Sequence, residues 1–443
     1  MAEGSGPGVS VLRGGTVVDA TGTRRADVLV RDGVVAAVEE AIDAPAGATV
    51  LDAADCLVAP GLVDLHTHLR QPGAEEAECV ESGSRAAALG GYTAVVAMPN
   101  TNPPIDSASV ATEVLALGRG ALCRVAVSAA ITVGRAGERL APMAELAALG
   151  VRLFTDDGAG VQDAAVMRRA LEYARGLGVT LGQHCEVDAL AAGGHMHEGA
   201  CSSRLGVPGI PAEAEELMVA RDIALARLTG GRVHFLHLST ARSLAMVAAA
   251  KAEGLPVTAE VTPHHLTFTD ERLADYDACF KVNPPLRTGE DVAALRAGCA
   301  SGVVDAVATD HAPHPPEAKD APLADAPPGM LGLETAMAAT LAALGPAPGA
   351  GMRIEDILGL LSWRPAAIAG LDPAYGGDQG GPVAPGAPAN LCVLDPASVW
   401  EVEPARLASL SRNTPWAGAK LAGRARHTLL AGEPVVVDAE AQR

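Results

Sequence analysis

The segment Asp64-Leu-His66-Thr-His68-Leu-Arg70 places two histidines two positions apart. On an extended segment both imidazoles point to the same side and can share one metal ion. A His-x-His pair recurs by chance, and any one histidine reads equally well as a satisfied core residue. The wider pattern is more telling, because further ligand types stand at the ends of predicted strands. They are Asp157 in Phe154-Thr-Asp-Asp-Gly158, His184 in Gln183-His-Cys-Glu186, His237 in His234-Phe-Leu-His237 and Asp310 in Ala308-Thr-Asp-His-Ala-Pro-His314. Four histidines and two carboxylates form the ligand set of one or two borderline divalent ions, Zn²⁺ foremost.

Such a set meets only if the fold gathers its strand ends on one face. From Pro60 to about residue 375, short apolar runs alternate with Ala/Leu-rich helical stretches. The pattern predicts strands at Gly61–Leu65, Ala94–Ala97, Arg124–Ala129, Val151–Phe154, Val179–Gln183, Val233–Leu238, Val257–Val261 and Val303–Thr309. Helices are expected at 141–149, 164–177, 212–228 and 240–252. Eight strands, most followed by a helix, fit an α/β fold of the (β/α)8 TIM-like barrel type, whose chemistry sits at the C-terminal strand ends. Residues 1–59 alternate β-rich runs with turns, and after the Gly/Pro-rich bridge 376–388 such runs return at 390–394 and 427–437. Each terminal piece is too short for a stable sheet, so residues 1–59 and 376–443 are expected to pair into one small β domain flanking a catalytic barrel of residues 60–375. The Pro-rich stretch 313–328 is the longest candidate active-site loop.

Composition narrows the function. The 443 residues contain 33 Lys plus Arg against 53 Asp plus Glu, a net charge of −20. That sign opposes binding to nucleic acid or to an anionic membrane surface, so an anionic small molecule would need a local basic pocket. With 49% hydrophobic and 19% charged residues the chain can bury a substantial core. No uninterrupted apolar stretch of about 18 residues occurs, and the opening residues lack the features of a secretory leader. A cytoplasmic protein is expected. The eight cysteines are scattered without a Cys-x-x-Cys pair and read as reduced thiols. Gly90-Gly91 lacks phosphate-loop spacing.

Five ordered motifs carry a resemblance. Pro60-Gly-Leu-Val-Asp-Leu-His-Thr-His-Leu-Arg70, Met98-Pro-Asn-Thr-Asn102, Phe154-Thr-Asp-Asp-Gly158, Phe280-Lys-Val-Asn-Pro-Pro-Leu-Arg287 and Ala308-Thr-Asp-His-Ala-Pro-His314 resemble the amidohydrolase superfamily and, within it, the type I dihydroorotases. The similarity runs from about Val11 to Val437. It implies a barrel plus a β domain built from both termini, and reversible cyclisation of N-carbamoyl-L-aspartate to L-dihydroorotate in de novo pyrimidine synthesis. It further implies zinc, two ions per chain, although members with one are known. His66 and His68 resemble the ligands of one ion, His184 and His237 those of the other, and Asp157 the bridging carboxylate. Asp310 resembles the residue that both touches the metal and moves the proton. In this chemistry a hydroxide held by the metals attacks the ring amide carbonyl, and Asp310 carries its proton to the leaving nitrogen. The ring carboxylate of dihydroorotate calls for a cation, and Arg70 can hold it bidentately with help from Asn100. Asn283, His314 and the backbone around Pro328 and Gly329 fill the family's remaining substrate contacts.

Two rival readings stand beside this one. Hydantoinase- or allantoinase-type enzymes bridge their metals with a carboxylated lysine on the fourth strand, but the first lysine in this chain is Lys251. Asp157 is preferred over Asp156 as the bridge because the family motif places the ligand directly before Gly158. The other rival is a silent homologue kept as a structural partner of aspartate transcarbamoylase, which the filled ligand set opposes. Association with that partner while active, and a homo-oligomer, also follow from the resemblance. His264 and His265 are expected to pack or to support ligands, His195 and His197 to lie in a solvated loop, and Cys185 and Glu186 to orient His184. Gln71 stands where many relatives carry an acid, and Pro328 where an aromatic is common. Pro328 has no N–H to give a ligand.

Overall fold

The first strand, Leu62–Thr67, is buried at every residue, as is the second, Tyr92–Ala97. Apolar runs of this kind are stable only when covered on both faces, the environment of a parallel sheet wrapped by helices. In the computed structural model, which describes residues 8–346 and 349–443, that environment is a closed barrel. The opening segment, read above for a leader, lies outside the described residues. The first two strands and Arg124–Val127 form one parallel ladder. Leu153–Thr155, Thr180–Gln183, Arg232–Phe235, Val257–Val261 and Ala306–Val307 form a second. Parallel bridges between Ala129 and Phe154 and between Thr67 and His311 join the two ladders at both seams.

All eight predicted barrel strands are present, but several stop early. The runs expected to reach Leu238 and Thr309 leave the ladder after Phe235 and Val307. Just beyond, His237 and Asp310 adopt φ of 30° and 45°, a left-handed conformation that extended pairing excludes. The strand ends are thus bent, and the bent residues are the candidate site residues.

The helices follow from their caps and faces. Ala164–Leu177 begins at Asp163, whose carboxylate accepts the N–H groups of Ala165 and Val166 at 2.7 and 2.9 Å. It ends at Gly178 in the left-handed conformation. Between the caps, Val166, Met167, Ala170, Leu171 and Ala174 form the buried stripe that packs on the barrel. Glu213–Thr229 and Ala241–Ala252 lie close to their expected bounds, whereas the helix expected at 141–149 shortens to Met143–Ala148. No helix among the described residues is long and apolar enough to cross a membrane.

Strands from both ends of the chain share one seven-stranded sheet. Leu57–Pro60 pairs antiparallel with Leu391–Glu401, Leu391 lying opposite Pro60. A four-stranded sheet of Ser10–Arg13, Asp27–Arg31, Val34–Glu39 and Thr49–Asp52 packs beside it around Leu12, Val28, Val58, Val393 and Leu429. Three strands of this region, Gly22–Arg25, Leu57–Pro60 and Glu440–Ala441, go beyond the expected runs. The first is mostly exposed and polar, and the second runs almost directly into the barrel.

Gly61 is the junction between the two parts. Its N–H donates to the carbonyl of Asn390 at 2.9 Å, and a β-carbon here would collide with the side chain of Thr93. Thr93 is buried and donates to Gln379 at 2.6 Å. Gly61→Ala therefore overpacks the junction and is expected to cost about 1–3 kcal/mol, read as a lowered denaturation midpoint in a urea titration. An unchanged midpoint would mean that Thr93 gives way freely.

Candidate metal centre and pocket

His66 and His68, at the end of the first strand, approach Asp157, which follows the fourth. His66 Nε2 lies 3.3 Å from Asp157 Oδ1, and His68 Nε2 lies 3.6 Å from Asp157 Oδ2. From the other side, His184 Nδ1 and His237 Nε2 each stand 3.7 Å from Asp157 Oδ1. Asp310 Oδ1 closes the group at 3.2 Å from His68 Nε2 and 3.6 Å from His66 Nε2. All six side chains are buried. They form two triads that share Asp157, one with His66 and His68 and one with His184 and His237.

The donor chemistry suits a divalent cation. Within each triad the ligand atoms lie within 4.8 Å of one another, a spread that one ion about 2.0–2.2 Å from each atom would fill. His66 Nε2 and Asp157 Oδ1 are buried with no hydrogen-bond partner, a costly state for polar atoms unless something else occupies the space between them. Burial, reinforced by the neighbouring His237, pushes the His184 imidazole down to about 3, so it is neutral, the form that ligates metal. Burial opposes ionisation of Asp157 and Asp310, but the surrounding histidines outweigh it and hold both carboxyls well below the usual range.

Two groups aim the imidazoles. Asn100 Oδ1 is 2.9 Å from His68 Nδ1. Glu260, on the seventh strand, contacts His66 Nδ1 at 3.0 Å, accepts the His237 N–H at 3.3 Å and contacts His234 Nε2 at 3.0 Å. A proton fixed on Nδ1 by such an acceptor leaves the Nε2 lone pair facing the centre. Despite burial, hydrogen bonds to His234 and His66 hold the Glu260 carboxyl down to about 2. Sequence reasoning missed Glu260. Its signal was a lone carboxylate inside the apolar run Val257-Thr-Ala-Glu-Val261.

Above the triads lies a cavity of about 180 Å³, below the range of drug-sized pockets and suited to one small molecule. Arg70, Asn100, Asn283, His314, Pro328 and Gly329 all line it. Arg70 donates from Nε to the Pro313 carbonyl at 3.1 Å, and its Nη2 lies 3.5 Å from His314 Nε2. Among the described residues no carboxylate forms an ion pair with it. His314 Nε2 is 2.9 Å from the Pro328 carbonyl, and burial, together with the Arg70 charge, pushes its imidazole down to about 3. Asn283 Nδ2 donates to Glu186 at 3.3 Å.

Pro328 and Gly329 line the cavity, and their backbone groups also have partners within the protein. The Gly329 N–H donates to the Lys281 carbonyl at 2.8 Å, and its own carbonyl accepts from Asn413 Nδ2 at 3.1 Å. Asn413, also missed, comes from the C-terminal segment and accepts the His314 N–H at 3.3 Å.

The remaining candidates sort by their partners. Asp156 turns away from the centre to accept the Thr132 N–H at 3.0 Å. His265 is satisfied by Thr262 and the Pro284 carbonyl, while His264 Nε2 is buried without a partner. His197 is not a solvated loop residue: it is buried with Nδ1 3.1 Å from Arg287 Nη1. The Cys185 thiol bonds the Gln183 carbonyl and the Glu186 carboxylate bonds Asn283, so neither side chain touches the His184 ring, although the Glu186 N–H donates to the His184 carbonyl at 3.1 Å. Gln71 accepts the Val80 N–H at 3.0 Å, tying the loop to the start of the helix Val80–Leu89.

A family profile described as dihydro-orotase-like matches residues 55–243. The dihydroorotase of Anaeromyxobacter dehalogenans is 48% identical over 440 residues, 98% of this chain and 99% of the relative. That of Mycobacterium bovis is 48% identical over 417 residues, 94% and 95% of the two chains. Among solved structures, the L-hydantoinase (dihydropyrimidinase) of Arthrobacter aurescens superposes with a TM-score of 0.87 over 98% of this chain and 97% of its own, at 24% identity, a likeness that speaks for the shared fold. Identity of 48% across almost the whole of both chains means that this chain belongs to the dihydroorotase family.

Proposed function

We propose that the chain is a zinc-dependent dihydroorotase, interconverting N-carbamoyl-L-aspartate and L-dihydroorotate for pyrimidine synthesis in the cytoplasm. The observation that carries this reading is Arg70, a guanidinium with no carboxylate partner among the described residues, which lines the same small cavity as the two triads. Dihydroorotate carries a ring carboxylate where dihydrouracil and hydantoin have none. Arg70 takes that carboxylate, and Asn100 and Asn283 donate to the polar edge of the ring.

His66, His68, Asp157, His184 and His237 are the proposed ligands of two ions, with Asp157 shared between them and Asp310 beside them. A bound zinc supplies Lewis-acid polarisation of the amide carbonyl and a nucleophilic water at neutral pH. Asp310, ionised and next to His68, accepts a proton at the cavity floor and returns it to the ring nitrogen as the amide bond breaks. In the direction of ring closure it takes the proton from the carbamoyl nitrogen. His314 donates from Nε2 to the Pro328 carbonyl and its ring stands beside the Arg70 guanidinium.

A hydantoinase reading is disfavoured by Asp157 on the fourth strand and by Arg70, and a silent-partner reading by the complete ligand set. Assembly as a homo-oligomer, with aspartate transcarbamoylase as a further partner, is part of the proposal and rests on the family resemblance.

The direct test is hydrolysis of L-dihydroorotate by zinc-loaded protein beside dihydrouracil, hydantoin and allantoin, with a chelated control. Turnover of hydantoin or allantoin in preference to dihydroorotate would replace the reading. Asp310→Asn is expected to keep its metal and lose about 10²–10⁴-fold in kcat; near-normal turnover would remove Asp310 from proton transfer. Arg70→Met should raise KM for dihydroorotate about tenfold or more, leaving dihydrouracil little changed. Equal losses on both substrates would contradict the carboxylate assignment. Glu260→Gln is expected to weaken metal binding about 10–100-fold in competition with a chelator, and unchanged retention would show that Glu260 does not aim His66.

A further inference from the structure

The loop between Pro313 and Gly329 roofs the cavity, and one buried lysine grips it. Lys281 is 7% exposed, and its ammonium donates to the Leu323 carbonyl at 2.7 Å and the Ala324 carbonyl at 3.2 Å. Its own carbonyl accepts the Gly329 N–H at 2.8 Å and faces Lys319 Nζ at 3.5 Å, while Lys319 donates to the Pro327 carbonyl at 2.9 Å. On either side of it, Phe280 and Val282 pack with Leu323, Ala326 and Met330 in a small apolar cluster under the loop. Among the described residues no carboxylate pairs with Lys281. An ammonium removed from water and held by carbonyls alone is costly, and here both carbonyls come from the roof.

The grip reaches the cavity from two directions. Two residues along the chain, Asn283 lines the cavity, and at the far end of the loop the Pro328 carbonyl meets His314, which in turn meets Arg70. Without the ammonium, the carbonyls of Leu323 and Ala324 lose their donor, and the segment carrying Pro328 and Gly329 loses its anchor.

We propose that Lys281 is a positioning residue for substrate binding: it clamps the 313–329 loop over Arg70 and Asn283 and so sets affinity without touching substrate or metal. This rests on the dihydroorotase reading for the identity of the substrate.

The test uses zinc-loaded, full-length Lys281→Met, which keeps the stem and removes the charge. Trypsin cleavage after Lys319, followed by mass on the resting enzyme, is expected to run about tenfold faster or more than in the parent. KM for L-dihydroorotate should rise about tenfold while kcat stays within about threefold and zinc content is unchanged, the pattern of lost uniform binding. Lys281→Arg, with charge and donors restored, should recover most of both losses. If Lys281→Met does not accumulate as folded protein, Lys281→Gln is read by the same two measurements. Parental nicking together with parental KM overturns the proposal, and so does a fall in kcat accompanied by lost zinc, which would make Lys281 a support of the metal centre. Nicking is measured without substrate. A parent inactive on dihydroorotate therefore refutes the reaction assigned above and leaves the clamp to be decided by the nicking rate.

Discussion

Two carboxylates, Asp157 and Asp310, are buried at the barrel mouth within reach of four imidazoles, with a third carboxylate, Glu260, directly behind them. Negative charge taken out of water at this density is stable only beside compensating positive charge. Burial disfavours a charged ring at His66, but Asp157 and Glu260 beside it push its pKa well above the ordinary imidazole value. A divalent cation meets the same demand better, because it also engages the lone pairs that a single proton leaves unused. Much of the surrounding architecture serves this one requirement. The strand ends bend at His237 and Asp310 to face it, and Asn100 and Glu260 fix the rings.

The cavity above has the opposite electrostatic character. Arg70 is kept cationic next to neutral His314, and the loop carbonyls that surround them add partial negative charge without a full counter-ion. Within a chain of net charge −20, this leaves one guanidinium available for an anion. Under the proposed function, discrimination between a ring with a carboxylate and one without rests on this guanidinium, while the bond-breaking chemistry below is common to both.

The barrel was legible because most of its strands are apolar runs buried on both faces, and such runs are local. The ends of those runs were less legible. Leu236 to Leu238 and Ala308 to Thr309 are as apolar as the strands they follow, and only the tertiary demand for a bent His237 and Asp310 takes them out of the ladder. The candidate ligands stood out through spacing and motif, whereas Glu260 has no spacing partner and contacts a histidine far away in sequence. His197 failed for the converse reason: its glycine-rich neighbours read as a solvated loop, but Arg287 arrives from ninety positions on and buries it. Asn413 belongs to the same class, since a polar residue in a C-terminal segment gives no local sign that it braces a loop of the barrel.

The seams of the barrel bear on how it holds together. One ladder of three strands and one of five meet through isolated bridges at Ala129 with Phe154 and at Thr67 with His311, with side-chain bonds from Asp64 to Thr309 and from Asp156 to Thr132 beside them. His66 and His68 extend from the smaller ladder, whereas Asp157, His184 and His237 extend from the larger. An ion held by the first triad therefore spans the joint and acts as a cross-link between the two halves, adding its binding free energy to the closed form alone. Cofactor occupancy and barrel closure become one equilibrium, and the folded population of this chain would depend on the free metal concentration around it.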